Sequence, residues 1–357
     1  MRFVRLDNCE DGMIIGKNVY GNNGMILLRA GNPVKQNHID TLLRLGYLGI
    51  YVEDAFSQGI EMKEAVSGET RNDATTAIKD LFSKSKFVDM KNTTHAIKQV
   101  QDVLEAIVNQ IFSNRDAVIN ILSLKSFDNY TYQHCADVGI LSVILGLELK
   151  IKRRKLLDLG KAAFFHDIGK MFVPQEILNK PSKLTAFEFD QVKKHTELGH
   201  IYVQNVLKQP DRVSNGALYH HERYSGGGYP KNISGNDIPF FAKIIAIADA
   251  YDTIISKRVY KEAMLASEAY EYIMGNVGTH FDPTVAGAFL RKIAPFPVGT
   301  CVRLSNGKAA IVVENRTSFM MRPVVKLLKA SSAEPDVYID LAYDSFATSI
   351  TIVETLY

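Results

Sequence analysis

Cysteine is scarce in this chain, with three in 357 residues. Cys9, Cys135 and Cys301 are far apart and odd in number, which excludes a disulfide framework and reads as three buried thiols in a reducing compartment. Long apolar runs are missing too. None reaches the roughly 18 residues needed to cross a bilayer, and the best candidate, Val138 to Leu147, is short and holds Gly and Ser. The start, MRFVRLDNCED, has no apolar core of signal-peptide length. These absences predict a cytoplasmic protein without membrane insertion. Charge of one sign is also lacking: 42 Lys and Arg stand against 39 Asp and Glu, a net of +3. That balance argues against polymeric nucleic acid, which meets a concentrated basic patch, and leaves room for a small anionic ligand. No CxxC or HExxH is present, so zinc-finger and zinc-protease chemistry are excluded. No GK[ST] follows the glycines at 226–228, and no GxSxG marks a serine nucleophile.

What is there is a core-forming chain, 46% hydrophobic, long enough for two or three units. Residues 1–55 read as a small α+β module. Its apolar runs MIIGKNVY and MILLRAG flank Asn23-Gly24, a hairpin signal. HIDTLLRLGYLGIYVED then reads as helix, Gly46 stop and strand. Residues 56–72 are polar and aperiodic, the composition of a linker. From 73 to 295 the pattern is helical, with Ile97, Val100, Val103, Leu104, Ile107, Val108 and Ile111 at helical spacing and Asp282-Pro283 as a cap followed by first-turn proline. GGGYPKNISGNDIP interrupts it as a long, and therefore suspect, loop. Residues 296–357 carry strand-like runs, the first two around Asn306-Gly307, and predict a small antiparallel β module. The fold class expected is mainly α, with small modules at both ends.

The chemistry-bearing residues gather in the helical part. His166-Asp167 lies in FFHDIGK after four apolar residues, so the carboxylate falls at a buried helix end and needs a partner. Asp249, in KIIAIADAYDTII, is a mid-helix carboxylate surrounded by apolar residues and needs one as much. His134, His195 and the doublet His220-His221 complete a set of five histidines and two aspartates. Such a set predicts two divalent metal ions, Fe or Mn first and Zn or a similar metal next, rather than Mg or Ca with their all-oxygen shells. Two metals held by imidazole and carboxylate point to phosphate-ester hydrolysis. Lys170, four residues after His166, is expected over the same helical face, and Arg258 and Lys261 at a spacing of three share another. His38, His95, His200 and His280 are left as structural.

These residues resemble the HD-GYP domains of the HD hydrolase superfamily over roughly 97–292. The resemblance rests on HDIGK at 166–170, HTELG at 195–199, HHERYSGGGYP at 220–230, IADAYDT at 247–253, KRVYKEAM at 257–264 and GTHFDP at 278–283. It implies a helical bundle and hydrolysis of cyclic di-GMP to linear pGpG or GMP by a hydroxide activated between two metals. It places His134, His166, Asp167 and Asp249 on one metal and His195, His220 and His221 on the other, with Asp167 bridging. Lys170 would face a phosphate oxygen, and Arg223, Gly228, Tyr229, Pro230, Arg258 and Lys261 would meet or shape the substrate. Tyr130 stands where a third-metal glutamate sits in some members, so two metals are expected. Ser225 and Thr196 replace a usual aspartate and proline without removing a ligand. The alternatives are hydrolysis of another cyclic dinucleotide or nucleotide, and a catalytically inactive dinucleotide receptor. The N-terminal module is read as packing on the helices or dimerising the chain, with sensing a signal the remaining alternative; the candidate partners are a second copy, as a homodimer, and partner signalling proteins.

Overall fold

The computed structural model describes residues 1–21, 25–85, 90–114, 130–256, 264–329 and 335–356. The first layer is a three-stranded antiparallel sheet, β1 (Arg2–Arg5), β5 (Gly49–Glu53) and β2 (Ile14–Ile15), in the order β1-β5-β2. A separate pair, β3 (Val19–Tyr20) and β4 (Ile26–Leu28), forms the expected hairpin, although Asn23-Gly24 itself lies outside the described residues. Helix α1 (Gln36–Arg44) buries Ile39 and Leu42, one turn apart, against Val4, Ile15, Ile50 and Val52 of the sheet. It stops before Gly46, and the chain returns as the central strand β5.

The middle of the chain is helical: α2 (Gly68–Ser85), α3 (Met90–Ser113), α4 (Tyr130–Glu148), α5 (Arg153–Phe164), α6 (Gln175–Leu178), α7 (Ala186–Lys193), α8 (His195–Asn205), α9 (Asp211–Tyr219), α10 (Phe240–Ile255), α11 (Ala266–Gly275) and α12 (Pro283–Lys292). One core cluster joins α2 to α5 with α8 to α12. Helix α4 is buried on every side from His134 to Leu145, as a helix apolar all round must be. It packs against α2, α5, α10 and α12, so Val138–Leu147 lies within the core of the helical part; among the described residues no helix is long and apolar enough to cross a membrane. Asp282 caps α12 as its sequence predicts, accepting from the backbone of Thr284 and Val285.

The stretch read as a linker is shorter than its composition suggests. Helix α2 begins at Gly68, and Ile60 and Val66 before it are buried. Two apolar residues at irregular spacing leave no periodic signal yet still anchor a segment to neighbouring cores. Cys135 and Cys301 are buried, but Cys9 is only half-buried, which corrects the expectation of three buried thiols.

The C-terminal unit is a five-stranded antiparallel sheet in the order β10-β6-β7-β8-β9: β6 (Cys301–Leu304), β7 (Ala309–Glu314), β8 (Val324–Leu327), β9 (Tyr338–Asp340) and β10 (Ile352–Leu356). Val302 faces Ala310 across the Asn306-Gly307 hairpin. This sheet meets the N-terminal module. Phe3 N donates to Gly299 O at 3.2 Å, and Ile60 packs with Cys301 and Ile311.

Candidate metal centre

Two central helices and three helix ends converge on one point. Helix α5 ends at Phe164, where Phe164 and Phe165 are fully buried, and Asp167 opens a 3-10 turn over Ile168–Phe172. His166 and Asp167 therefore sit in the short break between two helical segments. Gly169 makes that break possible. A Cβ there would stand 1.9 Å from His195 O and 2.6 Å from Gly199 N, so only glycine lets α8 pack onto the turn. His134 comes from the first turns of α4, Asp249 from the middle of α10, His195 from the start of α8, and His220 and His221 from the end of α9.

Asp167 lies at the middle. Its Oδ2 is 3.5 Å from His166 Nε2 and 3.7 Å from His134 Nε2, whereas its Oδ1 is 3.4 Å from His195 Nε2 and 3.9 Å from His220 Nε2. Two donor groups result, His134, His166 and Asp167 on one side and His195, His220 and His221 on the other. Asp249 approaches the first, its Oδ1 3.1 Å from His134 Nε2.

The backbone decides which imidazole nitrogen faces inward. His166 Nδ1 donates to Ala163 O at 2.6 Å, His195 Nδ1 to Val192 O at 2.7 Å, and His220 Nδ1 to Gly216 and Ala217 carbonyls at 3.0 Å each. A carbonyl only accepts, so Nδ1 carries the hydrogen and Nε2 presents its lone pair to the centre. His134 follows the same logic through Asp252, which accepts from Nδ1 at 2.6 Å. Asp252, wholly buried, is a partner of the candidate donor His134 that the sequence reading missed. Its signal was its place one helical turn after Asp249, on the same face of α10.

Burial holds His195, His220 and His221 neutral. It lowers His195 to about 4 against Asp167, which raises it, and pushes His220 and His221 down as well, the latter to about 3. The two carboxylates go the other way from what burial alone would do. Burial opposes the charge on Asp167, but Lys170 and then His166 outweigh it; on Asp249 the bond to His134 outweighs burial. Both stay ionised well below the ordinary carboxylate range. Neutral imidazoles and charged carboxylates are the forms a metal takes. Nε2 of His166 and Oδ1 of Asp167 are buried with no hydrogen-bond partner among the described residues, as atoms reserved for a cation would be.

A pH effect follows for the metal-free protein. Between about 4 and 6.5 the unfolded chain binds a proton at His195 that the folded chain does not. Stability should therefore fall as pH drops through that window, by up to about 1.4 kcal/mol per pH unit from this one group, with His220 and His221 acting in the same sense. The loss from Asp167 and Asp249 begins only below 3.8. Urea midpoints of chelated protein at pH 7 and pH 5 check this, and equal midpoints would mean the histidines are not buried neutral.

Lys170 contacts Asp167 Oδ2, the oxygen that also faces His166 Nε2. The segment is a 3-10 turn, where residues three apart eclipse, which brings Lys170 to Asp167. The glycine loop closes the open side. A Cβ on Gly228 would meet Arg223 N at 2.5 Å and His221 O at 2.7 Å, so the loop folds tightly back on the end of α9. Tyr229 stacks on His221, centroids 4.7 Å apart, and Lys193 lies over both Tyr229 and Phe189. Tyr224 and Ser225 donate backbone hydrogens to His280 O and Thr279 O, so GTHFDP braces the loop. Thr196, where the pattern has proline, is buried and donates its hydroxyl to Lys193 O. Arg223 is exposed at the rim and Pro230 half-buried. His280, left as structural, is half-buried against Phe281, and burial and Arg223 lower it to about 4 while Asp249 raises it. Arg258 and Lys261 lie outside the described residues, as does the side chain of Tyr130.

Residues 116–285 match the family model of the HD domain. It is 33% identical over 271 residues to a cyclic di-GMP phosphodiesterase of Pseudomonas aeruginosa, covering 75% of this chain; the chain spans 64% of that relative's length. It is 37% identical over 130 residues to a 3'3'-cGAMP-specific phosphodiesterase of Vibrio cholerae, covering 36% of this chain and 25% of that one. Its fold is similar to that of the HDG"Y"P protein from Bdellovibrio bacteriovorus, with a TM-score of 0.54 at 20% identity over 81% of this chain and 97% of that one.

Proposed function

We propose that this chain is a metal-dependent phosphodiesterase that opens cyclic di-GMP, giving linear pGpG or GMP, and that residues 73–295 carry the reaction. The observation that carries the reading is the split environment of Asp167, whose two oxygens face two separate groups of imidazoles. His134, His166 and Asp249 would hold one ion, His195, His220 and His221 the other, and Asp167 would bridge them. Fe or Mn suits this mixed nitrogen and oxygen set. Bound there, such ions supply Lewis acidity, which lowers the pKa of water and neutralises charge on a phosphoryl group.

The chain's own residues do the rest. Carbonyls and Asp252 fix each imidazole, so the donors need no rearrangement when substrate arrives. Lys170, already beside Asp167, is placed to hydrogen-bond a phosphoryl oxygen through Nζ. Arg223 at the rim and Arg258 and Lys261 in the following segment would meet the second phosphate. Tyr229, with Phe189 6.2 Å away and 44% exposed, offers ring surface for a purine base. Its phenol stays protonated, because burial raises it.

A second reading, hydrolysis of 3'3'-cGAMP, is favoured by the likeness to the cGAMP-specific relative. Turnover of both cyclic dinucleotides by the full chain with Mn or Fe restored separates the two. Faster consumption of cyclic di-GMP is the expected result. Preference for 3'3'-cGAMP would transfer the assignment, and no turnover of either by folded, metal-loaded protein would refute both.

A further inference from the structure

A cavity of about 300 Å³ lies away from the histidine cluster, where the N-terminal module meets α2 and α4. None of the seven metal-donor candidates lines it. Its volume is at the lower end for small-molecule sites. Three structural units build it: Lys17, Tyr20 and Tyr51 come from the N-terminal module, Arg71 from α2, and Gln133 and Asp137 from α4.

The charges are arranged unevenly. Lys17 Nζ is 2.5 Å from Glu64 Oε1 and 4.5 Å from the centre of the Tyr51 ring, so its charge is shared. Arg71 Nε lies 3.2 Å from Asp137 Oδ1 as an ion pair, and that buried Nε completes no hydrogen bond among the described residues. Asp137 is buried, whereas the Arg71 side chain keeps 29% of its surface. A guanidinium that lines a cavity with hydrogen-bonding capacity left over is a receptor for a planar oxyanion. Tyr20 and Tyr51 supply ring surface beside it, and Asn72 and Thr75 supply polar groups.

We infer that this cavity binds a small aromatic carboxylate, and that the bound molecule acts on the metal centre through α4. The second half rests on the metal-site reading of His134, but not on which dinucleotide is hydrolysed. Gln133 precedes His134 in the chain, and Asp137 follows it by one helical turn. A carboxylate on Arg71 competes for the guanidinium that braces Asp137, which loosens α2 from α4. His134 Nε2 stands 3.1 Å from Asp249 Oδ1, so a small shift of α4 is felt at the donor atoms.

Benzoate is the probe, with benzamide as its uncharged counterpart, titrated calorimetrically into the full chain. Benzoate should bind saturably and benzamide at least tenfold more weakly. Arg71→Lys keeps a charge facing Asp137 but removes the fork, and should weaken benzoate at least tenfold. Asn72→Phe fills the cavity without touching the Arg71–Asp137 pair, and should abolish binding in a protein whose melting stays cooperative. Coupling is reciprocal, so saturating Mn²⁺ should change benzoate affinity by about fivefold or more. No binding of benzoate, or binding indifferent to both substitutions, overturns the site. Equal affinity with and without Mn²⁺ overturns the action through α4, and does so whether or not the chain hydrolyses cyclic di-GMP.

Discussion

Asp167→Ala should lower turnover of cyclic di-GMP by about a thousandfold or more, about 4 kcal/mol in barrier, and should reduce the metal retained per chain. The magnitude follows from position. One carboxylate faces both imidazole groups, with Oδ2 toward His134 and His166 and Oδ1 toward His195 and His220. Removing it takes a donor from each group at once and leaves Lys170 beside buried imidazoles without its counter-charge. Metal content separates the functional role from a structural one. A variant that unfolds more easily yet retains the wild-type complement of Mn or Fe would mean that Asp167 only pairs with Lys170. Asp252→Asn is the graded comparison. It keeps the shape around His134 Nδ1 but weakens the acceptor that orients the ring, so metal affinity should fall only about 10–100-fold.

The parts of this site that are local in sequence were legible; the parts that depend on tertiary approach were not. His166-Asp167 stood out because four apolar residues precede a carboxylate, and α5 does end there, at Phe164. Asp249 stood out because α10 is apolar around it, and the helix is buried on nearly all sides. The hairpin around Asn306-Gly307 and the cap at Asp282 were equally local, each written in two residues. The pairing of Lys170 with Asp167 was not legible, also for a local reason. Helical spacing assumed 3.6 residues per turn, and the tight turn after Asp167 brings residues three apart together. What no spacing could give is that each oxygen of Asp167 faces a different imidazole group, since those come from four helices. Nor could it give the cavity at Arg71, where the N-terminal module, α2 and α4 meet. Ile60 and Val66 follow the same rule: their burial belongs to surfaces far along the chain, so their stretch read as linker.

Gly169→Ala should cost at least about a hundredfold in turnover, through one methyl group that touches no substrate. The added Cβ would stand 1.9 Å from His195 O and 2.8 Å from His195 C, and 2.6 Å from Gly199 N. These are backbone atoms at the start of α8, which cannot rotate away as a side-chain end can. Either the 3-10 turn carrying Asp167 or the first turn of α8 must move by about an ångström. A displacement of that size at a catalytic centre is worth about 10²-fold, and overpacking a tight contact costs about 1–3 kcal/mol in stability. The two effects are separable, because the shift acts on His195 Nε2, 3.4 Å from Asp167 Oδ1, before it acts on the wider core. At a temperature where the variant is fully folded by circular dichroism, turnover and metal content should both be low. Gly139→Ala is the control. Its Cβ would meet the Phe164 ring at 2.1 Å, a clash with a side chain between α4 and α5 rather than with the backbone of α8, so it should lose stability more than metal. If Gly169→Ala instead melts early but turns over normally when folded, then α8 is not what sets the distance between the two halves of the centre.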